Sequence, residues 1–271
     1  GSGAVAAPAA ESWFASELVP FATVETRDPR EILPMFGVPG RMVRNLGAGH
    51  TFRGHGARAA LYVKLVALTD GADVLFGGCE ETELVERYRQ IVAASGGASI
   101  VFGAEFGLWP PELWAEGAAR RYDALDAQRA GALRSQGFKE DLYEGFHACP
   151  ADAECSAVGG NRTTLRHLNA GWVMGPASAL LKLYEQGEAA YDDQLFNSRY
   201  LFDHPDEVAL DYAGRLVLNL VDSTLGAALD IRDGRVQNRE TGETQCFVHG
   251  NGSGKAAWKR LLFELHALHA A

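Results

Sequence analysis

The chain has 271 residues and a mass of 29.2 kDa, with 25 Lys and Arg against 35 Asp and Glu for a net charge of −10, and it is 47% hydrophobic with 31 glycines. That composition suits a globular α/β enzyme with many tight turns and excludes a disordered or fibrous chain. The charge balance, with no Lys/Arg stripe, speaks against a nucleic-acid partner, and no apolar run approaches the length of a membrane span.

Gly1-Ser2-Gly3 reads as an expression scar, and the Ala-rich lead to residue 16 carries no signal peptide. Residues 17–271 read as a single domain. Leu18 to Thr26 is apolar and β-branched before it breaks at Arg27-Asp28-Pro29, which predicts a first strand ending in a loop. Phe36 to Gly56 is punctuated by glycine and reads as a connecting loop or a close backbone approach to a ligand. Ala59 to Leu68 is a largely buried strand or a helix running into one, and it delivers Asp70 and Asp73 onto a short turn before Val74-Leu75-Phe76. Two carboxylates on a turn at a strand end can share a hard divalent cation, although Asp and Gly are also ordinary turn formers.

Glu81 to Ala94 places Leu84, Val85, Tyr88, Ile91 and Val92 on one helical face, stopped by Gly96-Gly97. Ser99 to Ala104 follows as a buried strand, and the strand-helix-strand order predicts a parallel right-handed crossover. Trp109, ahead of Pro110-Pro111, either plugs the core edge or walls a ligand site. From Tyr122 to Arg166 the periodicity is lost, which predicts a long excursion with at most short helices. Leu168 to Gly175 returns to a strand, and Pro176 opens a helix closed near Gly187. Asp192 or Asp193 then starts another helix, where an acidic N-cap is the structural alternative to a catalytic role. Leu216–Leu220, Ala227–Ile231 and Phe247–His249 read as short strands, with Asp233-Gly234 as a hairpin turn. Gly250 to Lys255 fails the P-loop spacing but can form a glycine-rich phosphate nest with Lys255 as counter-charge, ahead of a final helix from Ala256 to Ala270.

Four cysteines, Cys79, Cys149, Cys155 and Cys246, allow three full pairings. Only Cys149 and Cys155 lie close together, which suggests a local disulfide. Asn161-Arg162-Thr163 in the same loop fits the N-glycosylation sequon, and the two features together point to the secretory pathway lumen or a secreted protein.

Taken in order, Val24-Glu25-Thr26, Leu46-Gly47-Ala48-Gly49 with Phe52-Arg53-Gly54, Thr69 to Asp73, Ala104-Glu105 with Trp109-Pro110, Leu168 to Gly171, Asp192 to Phe196, and His249 to Gly252 with Lys255 form a recognisable set. The chain resembles the glycosyltransferase domain of procollagen lysyl hydroxylases and related collagen glycosyltransferase-like proteins. The resemblance implies a GT-A-like, Rossmann-like mixed α/β sheet flanked by helices in a single domain. It implies a Mn²⁺-dependent transfer of a hexose, galactose or glucose, from a UDP-sugar to a hydroxyl acceptor on a protein or glycan. Asp70, Asp73 and His249 would bind the metal, and Gly252 and Lys255 the diphosphate. Val24, Thr26 and Phe52 would contact uridine, and Asn169 and Trp109 would line the pocket. Asp192 and Asp193 would face the sugar as the catalytic residues, either one orienting the sugar hydroxyls, acting as base or stabilising an oxocarbenium-like state. Ala72 stands where the family commonly has an aromatic ring, and Trp172 where it has a second glycine, which would narrow the acceptor side. A glycosyltransferase-like binding module and a nucleotide-sugar phosphohydrolase are the alternative functions.

Overall fold

The computed structural model describes residues 21–24, 43–45, 67–70, 73–135, 142–143, 165–186, 192–221 and 224–269. Among these, nine strands form one mixed sheet. Its strands are β1 (Phe21–Val24), β2 (Val43–Asn45), β3 (Ala67–Asp70), β4 (Val74–Phe76), β5 (Ile100–Glu105), β6 (His167–Met174), β7 (Val208–Asp211), β8 (Val217–Asn219) and β12 (Phe247–His249). They run in the order β2-β1-β3-β6-β5-β8-β12-β4, with β7 also pairing with β5. β6 and β4 run antiparallel to their neighbours, and the other pairs are parallel. A small antiparallel sheet holds β9 (Leu229–Arg232), β10 (Arg235–Asn238) and β11 (Glu243–Thr244). The helices are α1 (Glu81–Ala94), α2 (Glu112–Ala115), α3 (Ala118–Ser135), α4 (Ala177–Gln186), α5 (Asp193–Asp203) and α6 (Lys255–His269).

Side chains alternate across the sheet, and two apolar layers result. Val101, Val217 and Phe247 pack with Leu84 and Tyr88 of α1 on one face. Phe102, Leu218 and Val248 pack with Tyr122, Leu180, Leu201 and Leu261 of α3, α4, α5 and α6 on the other. This is the mixed sheet flanked by helices that a GT-A-like domain requires.

Several predicted elements differ. The strand before α1 is β4, which lies at the far edge of the sheet and antiparallel to β12, so β4-α1-β5 is not a parallel crossover. β3 and β5 are parallel instead, with β6 inserted between them. The stretch from Tyr122 opens inside an 18-residue helix, α3, rather than a loop with short helices. Its Ala, Arg, Leu and Gln content carries helix propensity without a clean apolar stripe. Ala227 and Ala228 belong to a 3₁₀ turn, Leu225–Ala228, and the strand begins at Leu229. β2 lies within the segment read as a loop, β7 and β11 were not expected from the sequence, and β10 is the second arm of the expected hairpin. The Asp233-Gly234 hairpin is present, with both residues at positive φ, 51° and 72°.

A disulfide joins Cys79, just before α1, to Cys246, just before β12. Beside it the buried Arg87 guanidinium donates to the backbone oxygens of Thr244 (2.8 Å) and Arg215 (3.1 Å) and lies 3.4 Å from Cys246 Sγ. Cys149, Cys155 and Asn161 lie outside the described residues. Trp172 is fully buried against Phe247, with ring centroids 5.6 Å apart, so it fills the core and does not narrow an acceptor site.

At the start of β6, His167 is buried and its Nδ1–H donates to Phe106 O at 2.7 Å. Burial lowers its pKa from 6.5 to about 4, because the charged ring would be stripped of water. Between these values the unfolded chain takes up a proton that the native state refuses. The His167 contribution is therefore intact above pH 6.5 and is lost as pH falls towards 4, by about 3 kcal/mol. Urea denaturation of His167→Asn between pH 7 and pH 4 is expected to show a shallower acid loss than the unsubstituted protein.

Candidate functional site

Strands β3, β5, β8 and β12 share one direction, so their carboxyl ends meet at one edge of the sheet and bring Asp70, Glu105, Asn219 and His249 to it. Open α/β sheets bind ligands at such an edge. β4 starts there in the opposite sense, with Val74 in register with His249, so Asp73 sits beside His249. Gly250 N–H donates to Asp73 O at 2.8 Å and holds that corner.

Three of the expected residues converge. His249 Nε2 lies 3.5 Å from Asp73 Oδ1, and Lys255 Nζ lies 3.8 Å from Asp73 Oδ2. The His249 ring is buried, whereas the Asp73 carboxylate is 19% exposed and Lys255 60% exposed. Gly171 makes room for the ring: a Cβ there would lie 2.3 Å from His249 Cε1. A carboxylate oxygen and an imidazole nitrogen at this separation suit two ligands of one divalent ion, and the O/N donor set is one that Mn²⁺ accepts. Among the described residues no group of three or more His, Cys, Asp or Glu forms a metal cage. The side chains of Asp70 and Val24 are outside the described set, as are Thr26, Phe52 and Ala72.

Next to this corner lies a buried polar network. Glu105 accepts from Gln194 Nε2 at 2.8 Å and from Asn251 Nδ2 at 2.6 Å. Burial raises the Glu105 pKa, opposed by hydrogen bonds from Gln194, Asn169 and Asn251. Gln194 Nε2 also donates to the backbone oxygen of Trp109 at 3.1 Å, and the Trp109 side chain is exposed, so it does not plug the core edge. Asn169 is buried, with Oδ1 accepting from Gly171 N at 2.9 Å and Nδ2 3.5 Å from Gln194 Oε1.

Asp192 caps α5: its Oδ1 accepts from Leu195 N at 2.9 Å. Asp193 occupies the first turn of that helix and is partly buried. Gly252 is exposed in the 3₁₀ turn Gly252–Gly254, which leads into α6 at Lys255.

The fold and this site are compatible with a glycosyltransferase-like domain. Residues 159–263, which carry Asn169, Asp192, Asp193, His249, Gly252 and Lys255, match the family model described as the PLOD GT domain, the glycosyltransferase domain of the lysyl hydroxylases that the chain resembles. No curated protein matches the chain.

Glu105, Gln194, Asn219 and Asn251 received no individual role from the sequence. Glu105, Gln194 and Asn251 lie within the motifs that carry the resemblance, but a carboxylate or amide at a strand end does not advertise its partners. Asn219 had a weaker signal still, a lone polar residue closing an apolar strand.

Proposed function

We propose that this protein transfers a hexose, galactose or glucose, from a UDP-sugar to a hydroxyl acceptor on a protein or glycan in a Mn²⁺-dependent reaction. The observation that carries the reading is the convergence of Asp73, His249 and Lys255 at the carboxyl edge of the sheet. Asp73 and His249, with Asp70 three residues before Asp73, would hold the ion. When bound, Mn²⁺ supplies Lewis-acid neutralisation of charge on the departing diphosphate. Lys255 and the Gly252 turn, at the N-terminus of α6, are suited to hold the diphosphate oxygens. Val24, Thr26 and Phe52 are assigned to uridine by the resemblance, and Asn169 and Trp109 to the sugar side.

Of the two acids, Asp193 is the better choice for chemistry, since Asp192 already caps α5. Asp192→Ala is expected to cost about 1 kcal/mol of stability through the lost cap. Asp193→Ala is expected to lower kcat far more than it weakens UDP affinity, which steady-state kinetics and UDP calorimetry would separate. Equal losses in both would move Asp193 to donor binding. The Cys79–Cys246 disulfide supports placement in the oxidising lumen of the secretory pathway.

The test is release of UDP from UDP-galactose and UDP-glucose with and without Mn²⁺. Mn²⁺-stimulated release of UDP and sugar or glycoside is the expected result. No release with any donor would make the domain a binding module, and sugar phosphate as product would make it a phosphohydrolase.

A further inference from the structure

We propose that Asn219 is a positioning residue that holds neutral His249 as the Nδ1–H tautomer, so that the Nε2 lone pair faces Asp73 and a shared divalent cation. The cation belongs to the functional reading above, but the proton on Nδ1 follows from hydrogen-bond geometry alone.

Asn219 and His249 are register partners on the parallel strands β8 and β12. Both are buried, Asn219 completely. Asn219 Oδ1 lies 2.8 Å from His249 Nδ1, and Asn219 Nδ2 donates to Ala104 O at 2.8 Å. A backbone carbonyl can only accept, so the amide nitrogen must face Ala104. Turning the amide over would set its oxygen against that carbonyl at 2.8 Å. The amide oxygen therefore faces His249, and Nδ1 must be the protonated nitrogen. Gly103 keeps the arrangement open, because a Cβ there would fall 2.6 Å from Asn219 Nδ2.

In the neutral ring with its proton on Nδ1, the Nε2 lone pair is directed at Asp73 Oδ1, 3.5 Å away. In that neutral ring the Nε2 lone pair and the Asp73 carboxylate face one position, which a divalent cation would take under the functional reading above. Partners that fix a ligand imidazole from its second nitrogen commonly change metal affinity by about 10–100-fold. Ala104 precedes Glu105 on β5, so the same amide ties the strand carrying the buried glutamate to the strand carrying the imidazole.

The test uses the whole protein labelled with ¹⁵N-histidine, free of metal at pH 8, with the His249 signals assigned by their absence in His249→Gln. Two-bond ¹H–¹⁵N correlation is expected to show a protonated Nδ1 and a pyridine-type Nε2. In Asn219→Leu the proton is expected to move to Nε2, where it can donate to Asp73. Mn²⁺ affinity by calorimetry is expected to fall about 10–100-fold in Asn219→Leu.

An Nε2–H tautomer or an imidazolium in the unsubstituted protein overturns the proposal, as does an unchanged tautomer or affinity in a folded Asn219→Leu. Should Asn219→Leu fail to fold, the tautomer of the unsubstituted protein decides. Should the unsubstituted protein bind no Mn²⁺, the metal reading fails while the tautomer measurement still tests the role of Asn219.

Discussion

Asp73→Asn is expected to lower Mn²⁺-stimulated UDP release by about 100-fold or more while leaving the fold intact. The substitution is nearly isosteric and keeps the backbone bond from Gly250 N–H to Asp73 O, so β4 and β12 stay in register. What it removes is the carboxylate charge 3.5 Å from His249 Nε2 and 3.8 Å from Lys255 Nζ. The Lys255 contact is too exposed to matter for stability, so the loss should fall on ion binding rather than on folding. His249→Ala is expected to reproduce the activity loss from the other side of the corner, with some added destabilisation because a buried ring is deleted. Calorimetric titration with Mn²⁺ and an unchanged circular dichroism spectrum check both parts. Full activity in folded Asp73→Asn would remove the metal assignment.

Removing the Cys79–Cys246 bond is expected to cost about 2–5 kcal/mol of stability. The bridge closes a loop of 167 residues, for which the chain-entropy account puts the effect near the upper end of that range. It also sits at one end of the β4–β12 pair whose other end carries Asp73 and His249. In Cys79→Ala/Cys246→Ala the midpoint of urea denaturation should fall, and dithiothreitol should lower the unsubstituted protein to the same value. A double variant within about 0.5 kcal/mol of the unsubstituted protein would show the bridge to be energetically idle.

The readable elements were those with strong local patterns. α1 was legible because Leu84 and Tyr88 repeat at helical spacing before a double glycine, and β12 because an apolar run stops at a histidine and a glycine-rich turn. α3 was not, since its helix rests on propensity and on tertiary ties such as Arg166 to Asp123 and Asp126, at 2.8 and 2.7 Å. The pairing of Cys79 with Cys246 was equally hidden, because proximity along the chain favoured Cys149 and Cys155. That Asp192 caps a helix was one of two readings in the sequence, and its bond to Leu195 N shows the cap.

By itself, then, the amino-acid sequence determined the α/β class, most of the strands that build the sheet, and the residue types of the candidate metal corner. Composition, periodicity and ordered motifs are local properties, and they survive without a fold. Only the tertiary structure decided that β4 turns back along β12, that Asp73 and His249 meet, and that Trp172 serves the core. The same holds for Asn219, whose meaning lies in a carbonyl on β5 and an imidazole on β12. Register between strands distant in sequence brings these groups within hydrogen-bonding distance, and no spacing along the chain records it.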